Sequence, residues 1–345
     1  MKNLLSSVLQ WLTKGENVVF VTIAADPGST PNGAGSRMAI IKDGSFAGTI
    51  GGGAAEHRAK QMALDLLALP SDGGELKSKS FCLTPDEKDD QGMICGGNVM
   101  VYIHYISCKD EKARNMFKFA VEIFSQNIDS WIVTDVTDET EWRMGIYAQG
   151  LENNNNLPDL AHNKELFSYR PVKIEISGRK YYSEQLTRAG KVYVFGGGHV
   201  SRELIPLLSH LDFRCVLFEN LEKFASREVF PSAESIIIGD FNDISASVSI
   251  TEKDYAVILT RGHRFDLALQ IQVLKLKPHY IGVISSKKKA ETITAKQLLE
   301  QGFSQEEINS IHAPIGIKIK GDAPAEVAVS IAAELIQVRS SRCMV

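Results

Sequence analysis

The sequence is poor in cysteine, and its cysteines stand far apart. The five residues are Cys82, Cys95, Cys108, Cys215 and Cys343. No C-x-x-C pair occurs, which argues against both a zinc ribbon and a disulfide framework. Scattered cysteines of this kind are typical of proteins in a reducing compartment, so we expect the protein to be cytoplasmic.

An excess of one charge and long apolar runs are also missing. Acidic and basic residues are mixed and leave a net charge of −4, so no basic stripe suggests binding to nucleic acid. No apolar run approaches the length of a membrane span. The opening segment MKNLLSSVLQWLTKG indicates an amphipathic helix rather than a signal peptide. With 345 residues, 44% of them hydrophobic, the chain can bury a sizeable core and can form two domains.

A strand-like segment runs directly into three glycines within Lys191–Leu204, KVYVFGGGHVSREL. Apolar residues then recur at helical spacing, so the pattern predicts a strand, a glycine turn and a helix. Doubly wound α/β proteins hold phosphate in this way, because glycines allow close backbone approach and a helix N-terminus offers free N–H groups. We therefore expect an anion cradle formed by Gly196, Gly198 and Ser201, which replaces the third glycine of the fingerprint. Without a ligand, the same pattern would be a plain strand-to-helix turn.

Two further residues belong to this predicted site. Glu219 ends the next β run about 20 positions later, where an acidic residue binds a ribose 2′-hydroxyl in dinucleotide-binding proteins. His199 follows the glycines directly, where its imidazole either reaches a phosphate or packs on the sheet. The glycines and Glu219 together would also permit an NAD(P)-dependent oxidoreductase, and that alternative stays open.

Strands and helices alternate regularly after residue 190. Strands are predicted at 192–195, 214–218, 235–238, 256–259 and 280–284, and helices at 200–211, 265–275, 287–301 and 324–339. This order predicts a Rossmann-like, doubly wound and mostly parallel sheet, with ligands at the carboxyl ends of the strands. His263 lies in a basic loop at that edge, from which it could also reach a phosphate.

The first half of the chain predicts a smaller mixed α/β domain over residues 1–186. A short connector, Glu184–Gly190, separates it from the Rossmann-like domain over residues 190–345. Helices are predicted at 4–13, 54–69 and 110–126. Strands are predicted at 18–24, 37–42, 45–50, 78–83, 98–106, 131–136, 142–148, 172–176 and 179–183.

Glycines cluster again in this first half. The loop 26–36, DPGSTPNGAGS, contains Gly33 and Gly35. A hairpin strand then runs into a second triplet before a helix, formed by Gly51, Gly52 and Gly53. These turns predict either a second anion-receptive surface, which faces the first across a cleft, or close packing in a small domain. Glu56 in the first helical turn matches the helix dipole.

Seven blocks of the sequence together resemble the xanthine dehydrogenase accessory proteins, the XdhC/CoxI family. They are GSTPNGAGSRM (Gly28–Met38), GTIGGGAAE (Gly48–Glu56), CGGNVMV (Cys95–Val101), VYVFGGGHVSREL (Val192–Leu204), LTRGHRFD (Leu259–Asp266), YIGVISSKKK (Tyr280–Lys289) and APIGIKIKGDAPAEVAVSIAAEL (Ala313–Leu335). The similarity covers both predicted domains in order, and residues 107–185 match least. The chain departs from the family at Arg261, where a second histidine is usual, and at Ser285-Ser286, where Gly-Ser is usual.

The resemblance implies a cytoplasmic, homodimeric chaperone for the molybdenum cofactor. Such proteins bind molybdopterin, keep its sulfurated form intact and pass it to xanthine dehydrogenase or a related molybdenum hydroxylase, with a desulfurase as the sulfur donor. It favours a non-catalytic carrier over an enzyme. The absence of iron–sulfur cysteine clusters argues against a part of xanthine dehydrogenase itself.

The resemblance also assigns roles to the candidate residues. The glycine turn around Gly196 would hold the phosphate of molybdopterin, and Glu219 would bind a ribose hydroxyl if the cofactor is a dinucleotide. The first-half glycines and Cys95 would form a lid that excludes water. Soft sulfur suits a metal–sulfur centre, so Cys95 would face molybdenum or its sulfur, unless it is only a small buried hydrophobe.

Overall fold

A computed structural model describes residues 1–25, 35–69, 79–83, 99–138, 143–151, 157–261, 265–286 and 294–341. The chain divides into two compact units, Met1–Arg188 and Ala189–Arg342. Within the described residues, no helix is both long and apolar enough to cross a bilayer.

The first unit contains two antiparallel sheets and three helices among its described residues. The helices are α1 (Lys2–Thr13), α2 (Gly53–Ala68) and α3 (Glu111–Ile123). The strands are β1 (Val18–Ala25), β2 (Arg37–Ile41), β3 (Phe46–Thr49), β4 (Lys79–Leu83), β5 (Val99–Ile106), β6 (Ser130–Asp135), β7 (Arg143–Ala148), β8 (Val172–Ile176) and β9 (Arg179–Thr187). One sheet has the order β3-β2-β1-β5-β4 and the other the order β7-β6-β9-β8.

The central strand β1 is apolar except for Thr22, because both of its faces are covered. Val18 and Phe20 pack in the cluster that contains the buried faces of α1 and α3. Val19 and Val21 point the opposite way and pack against α2. Side chains alternate between the two faces of a strand, so a strand covered on both faces has a continuous apolar run.

The predicted connector between the two domains begins later than expected, because strand β9 is longer than predicted. Glu184 was expected to begin the connector, but β9 continues to Thr187 and Glu184 is only 3% exposed. Its carboxylate accepts a hydrogen bond from the Tyr182 hydroxyl and pairs with the buried guanidinium of Arg37 in β2. Burial lowers the pKa of Arg37 to about 10, against an opposing effect of Tyr182. The last residues of β9 are mostly polar, so the hydrophobic pattern of the sequence did not predict that the strand continues.

The second unit is a doubly wound α/β domain, so the predicted fold class is confirmed. Its strands are β10 (Lys191–Phe195), β11 (Arg214–Glu219), β12 (Ser235–Ile238), β13 (Tyr255–Ile258), β14 (Tyr280–Val283) and β15 (Ile311–His312). Its helices are α4 (His199–His210), α5 (Asp266–Leu276), α6 (Ala295–Glu300), α7 (Gln305–Asn309) and α8 (Pro324–Ser341). All pairs are parallel, in the order β12-β11-β10-β13-β14-β15.

Helices cover both faces of this sheet. Val192 and Val194 of β10 pack with the buried residues of α4 and α8. Tyr193 and Phe195 point to the opposite face and pack with α5. The strand order reverses between β10 and β13, and ligands of such sheets bind outside the carboxyl ends of the strands at this switch point. The glycine turn after β10 lies at that position.

We predict that removing Arg37 destabilises the first unit through the partner it leaves behind. Arg37→Met leaves the buried Glu184 carboxylate without its cation, which should cost about 3–5 kcal/mol of unfolding free energy. The double variant Arg37→Met/Glu184→Leu should recover most of that loss. Urea unfolding followed by tryptophan fluorescence isolates this unit, because all three tryptophans precede residue 189.

The exposed cation Lys42 provides the control, since Lys42→Met also removes one positive charge and should change stability by less than about 0.5 kcal/mol. An Arg37→Met protein as stable as the parent would contradict the buried ion pair.

Candidate functional site

The first two glycines of the turn after β10 are required by the fold. Gly196 has a φ of +109°, and a Cβ there would lie 2.6 Å from the carbonyl oxygen of Leu259. A Cβ on Gly197 would lie 2.1 Å from the carbonyl oxygen of Phe224. Both positions therefore exclude any other residue, whether or not a ligand binds.

The third glycine has no such requirement. Gly198 is the N-cap residue of α4, with φ −76° and ψ −173°, a conformation open to any residue. A Cβ placed on it would have no atom of the described residues within 4 Å. Among the residues that the structure describes, none caps this end of α4 with its side chain. Gly198 thus leaves space directly in front of a helix N-terminus, where the free N–H groups and the helix dipole favour an anion.

The two side chains predicted beside the glycines face in opposite directions. His199 is the first residue of α4 and is exposed, so its imidazole can reach a ligand at the helix end. Ser201 is fully buried, and its hydroxyl donates to the carbonyl oxygen of Gly196. Ser201 therefore allows close packing of α4 on β10, which is the role of the third glycine in the fingerprint.

Glu219 ends β11 beneath the glycine turn and is fully buried. Its Oε2 accepts a hydrogen bond of 2.7 Å from the Gly197 N–H. Its Oε1 accepts from the backbone N–H groups of Asn220 at 2.9 Å and Leu221 at 3.1 Å. The carboxylate expected to bind a ribose therefore has both oxygens engaged within the protein, and its ribose role stays a prediction.

Arg261 supplies one further partner of Glu219 that the sequence did not reveal. Its Nη2 lies 3.1 Å from Oε1 of Glu219. The guanidinium also lies over the ring of Phe224, 3.3 Å from the ring centroid. Phe224 ends a short 3₁₀ helix after β11, so the contact joins loops that follow β11 and β13. The sequence could have indicated this contact, because a basic loop after β13 and an aromatic residue after β11 both lie at the switch point.

A cavity of about 270 Å³ lies beside the carboxyl end of β14, a strand two places along the sheet from β10. Its polar lining residues are Asp266, Gln270, Ser285, Thr294, Gln305 and Asn309. Asp266 and Gln270 are buried side chains one turn apart on α5, and the hydroxyl of Thr260 donates to Asp266. The lining offers carboxylate, amide and hydroxyl groups to a polar ligand, a combination that fixes ligand orientation.

The glycine triplet of the first unit differs from the triplet after β10. Gly51, Gly52 and Gly53 all have positive φ values, and no atom of the described residues lies within 4 Å of a Cβ on any of them. The backbone conformation therefore requires glycine at each position, while packing does not.

The helix start beside this triplet already holds an anion, the carboxylate of Glu56. Oε2 of Glu56 accepts from the N–H groups of Ile50 and Gly52 at 3.2 and 3.1 Å and from the Thr49 hydroxyl at 2.5 Å. Its Oε1 lies 2.8 Å from Nζ of Lys60. Burial raises the pKa of Glu56, but the hydrogen bonds from these groups outweigh it and lower the pKa to about 2.

The remaining candidates are only partly within the described residues. Gly35 has a φ of +83°, and a Cβ there would lie 3.2 Å from Oε1 of Glu184. Gly33, Cys95 and His263 lie outside the described residues, so their roles stay predictions. Burial raises the pKa of the Cys215 thiol to about 12, with a smaller effect of Glu234 in the same direction. In the part of the chain that the structure describes, no three side chains are grouped to hold a metal ion.

Two family models match the chain. Residues 192–335 match the model described as the XdhC Rossmann domain. Residues 11–73 match the model described as the XdhC and CoxI family. Together the two models cover more than half of the 345 residues.

Relatives and a solved structure agree with these matches over nearly the full length. The chain is 24% identical to a probable subunit of xanthine dehydrogenase from Bacillus subtilis, over 94% of each chain. It is 20% identical to the molybdenum cofactor insertion chaperone PaoD of Escherichia coli, over 98% of this chain and 88% of that one. A crystal structure of a xanthine dehydrogenase from Bacillus halodurans has a TM-score of 0.79 at 20% identity, over 97% of this chain and 96% of that one. That structural likeness shows a shared fold.

We predict that Glu56 stabilises the first unit in a pH-dependent manner. Its folded pKa of about 2 lies below the ordinary value of 4.5, so its stabilisation is present above pH 4.5 and is lost as pH falls towards 2. Glu56→Gln should lower the unfolding free energy by about 1–3 kcal/mol at pH 7, and the difference from the parent should shrink at pH 3. Urea unfolding followed by tryptophan fluorescence at both pH values measures this.

The matched control is Asp65→Asn, because Asp65 is an exposed carboxylate on the same helix. It should shift stability by less than about 0.5 kcal/mol at either pH. An equal loss for Glu56→Gln at pH 7 and pH 3 would contradict the carboxylate's assigned role.

Proposed function

We propose, from the premise that the chain belongs to the XdhC and CoxI family, that it is an accessory chaperone for the molybdenum cofactor. It binds molybdopterin, protects the sulfurated form and delivers it to xanthine dehydrogenase or a related molybdenum hydroxylase. The names of the B. subtilis and E. coli relatives support an accessory role of this kind.

The observation that carries the proposal is the open space at Gly198. Gly196 and Gly197 are required by backbone geometry and packing, whereas a Cβ at Gly198 would have no atom of the described residues within 4 Å. The space lies before the N-terminus of α4, which favours a phosphate oxygen through free N–H groups and the helix dipole. Molybdopterin carries a terminal phosphate, so its anionic end fits this position.

Other residues of the second unit have supporting roles in the proposal. The exposed imidazole of His199 donates a hydrogen bond to a phosphate oxygen at the same helix end. The carboxylate and amide groups of Asp266 and Gln270 line a cavity whose polarity suits a pterin ring. These groups bind and orient, and no side chain is assigned a proton-transfer or nucleophilic step. The proposed role is therefore that of a carrier.

The remaining parts of the proposal come from the family resemblance. By that resemblance, the loops around Gly33, Gly35, Gly51–Gly53 and Cys95 would form a lid that keeps water from the dithiolate. A desulfurase supplies the sulfur, a homodimer is the working assembly and the cytoplasm is the location. The resemblance assigns Cys95 to molybdenum or its sulfur.

A second candidate function is an NAD(P)-dependent oxidoreductase. The strand order β12-β11-β10-β13-β14-β15 is that of dinucleotide-binding Rossmann domains, and Glu219 stands at the expected strand end. Against it, both oxygens of Glu219 are hydrogen-bonded inside the protein. An oxidoreductase would turn over a nicotinamide cofactor with some substrate. The chaperone would instead raise the activity of an apo-hydroxylase and oxidise nothing itself.

We predict that Gly198→Val abolishes cofactor retention without unfolding the protein. The added side chain occupies the space in front of α4, and its Cβ has no atom of the described part of the chain within 4 Å, so stability should change by less than about 1 kcal/mol. Molybdopterin retained after anaerobic gel filtration, measured as its fluorescent oxidation product, should fall at least about tenfold. Gly198→Ala should show a smaller loss.

The control is His210→Val, which places the same side chain on the exposed last residue of α4. It should retain the cofactor at the parent level. Gly196→Ala should instead destabilise the second unit, because its Cβ would overlap the Leu259 carbonyl. A folded Gly198→Val protein with parental retention would remove the proposed phosphate site.

A further inference from the structure

The nucleoside position of this Rossmann unit is blocked by the protein's own side chains. In dinucleotide-binding members of the fold, the acidic residue at the end of the second strand accepts hydrogen bonds from ribose hydroxyls. That role requires a carboxylate oxygen open to the crevice. Glu219 is fully buried, and its carboxylate accepts from three backbone N–H groups and from Arg261.

Arg261 blocks this position by two separate contacts. Its Nη2 pairs with Oε1 of Glu219 at 3.1 Å, and its guanidinium lies over the ring of Phe224, 3.3 Å from the centroid. A planar guanidinium is weakly hydrated and stacks well on an aromatic ring while it binds a carboxylate, so the two contacts reinforce one another. The aromatic face and the acidic group that a nucleoside would use are both bound to Arg261.

Phe224 lies close to the glycine turn. Its carbonyl oxygen would be 2.1 Å from a Cβ on Gly197, and the Gly197 N–H donates to Glu219. The side chains of Glu219, Phe224 and Arg261 therefore form one connected layer over the ends of β10, β11 and β13. A Cβ on Gly198 has none of these three side chains, and no other atom of the described residues, within 4 Å.

We infer that Arg261 is a specificity-determining plug that excludes nucleosides, so the site takes a phosphorylated ligand without a nucleotide. For the carrier role this means molybdopterin that ends in its phosphate, rather than a molybdopterin dinucleotide. The choice of cofactor form rests on the proposed function. The plug itself does not, because it is tested with nucleotides alone.

The test is a titration of the purified protein with NADH and with ADP-ribose, followed by NADH fluorescence and by calorimetry. Arg261→Ala removes the guanidinium from Oε1 of Glu219 and from the Phe224 ring. Its affinity for both nucleotides should exceed that of the parent at least about tenfold. Arg261→Lys keeps the charge but not the planar stack and should give a smaller gain.

The control is Arg202→Ala, which removes an exposed positive charge from α4 without touching Glu219. It should give no gain in nucleotide affinity. Arg261→Gln serves as a second variant if the alanine protein is unstable, because its amide can still donate to Glu219.

Two results would overturn the inference. One is a parent protein that binds NADH as tightly as Arg261→Ala does, and the other is a folded set of Arg261 variants that gains no affinity. Either result would leave the chaperone proposal standing if molybdopterin is still retained at Gly198. Conversely, a gain in nucleotide affinity by a protein that never holds molybdopterin would support the plug and defeat the chaperone.

Discussion

The hydrogen bond between the Gly197 N–H and the buried carboxylate of Glu219 determines which groups of the second unit stay open to a ligand. It connects the glycine turn after β10 to the end of β11. The N–H group of Gly197 is therefore engaged within the protein. The other carboxylate oxygen holds Arg261 and through it the loop after β13. Among the described residues on this side of the switch point, the helix end at Gly198 keeps open space for a ligand. The arrangement suits a terminal phosphate better than a pyrophosphate bridge between two nucleosides.

The two glycine triplets share a sequence pattern but differ in where their carboxylate lies. In the first unit, Glu56 comes from the helix itself and accepts from the N–H groups that precede it. In the second, Glu219 comes from a neighbouring strand and accepts from Gly197, so Gly198 keeps open space before its helix. The first triplet therefore has its own internal anion, and the second has room for an external one. This difference supports the proposed phosphate site in the second unit.

Sequence periodicity predicted the doubly wound sheet and placed its first five strands within a residue or two, because buried parallel strands have continuous apolar runs. It missed the edge strand β15, whose two residues are too short to show a pattern. The glycine turn was equally visible, since Gly196 and Gly197 are required by local geometry. Contacts between distant polar residues were not visible. Arg37 and Glu184 are 147 positions apart, and Arg261 and Glu219 are 42 apart, so only the folded chain brings each pair together. Ser201 was placed in the cradle, yet its inward-facing hydroxyl depends on how tightly α4 packs on β10.

The central claim is that this chain carries a phosphorylated pterin with its metal and has no nucleotide in the Rossmann unit. Mass spectrometry of the small molecule released from native protein, prepared anaerobically under reducing conditions, tests it most directly. The account predicts molybdopterin that ends in a phosphate. A released nicotinamide dinucleotide would contradict it.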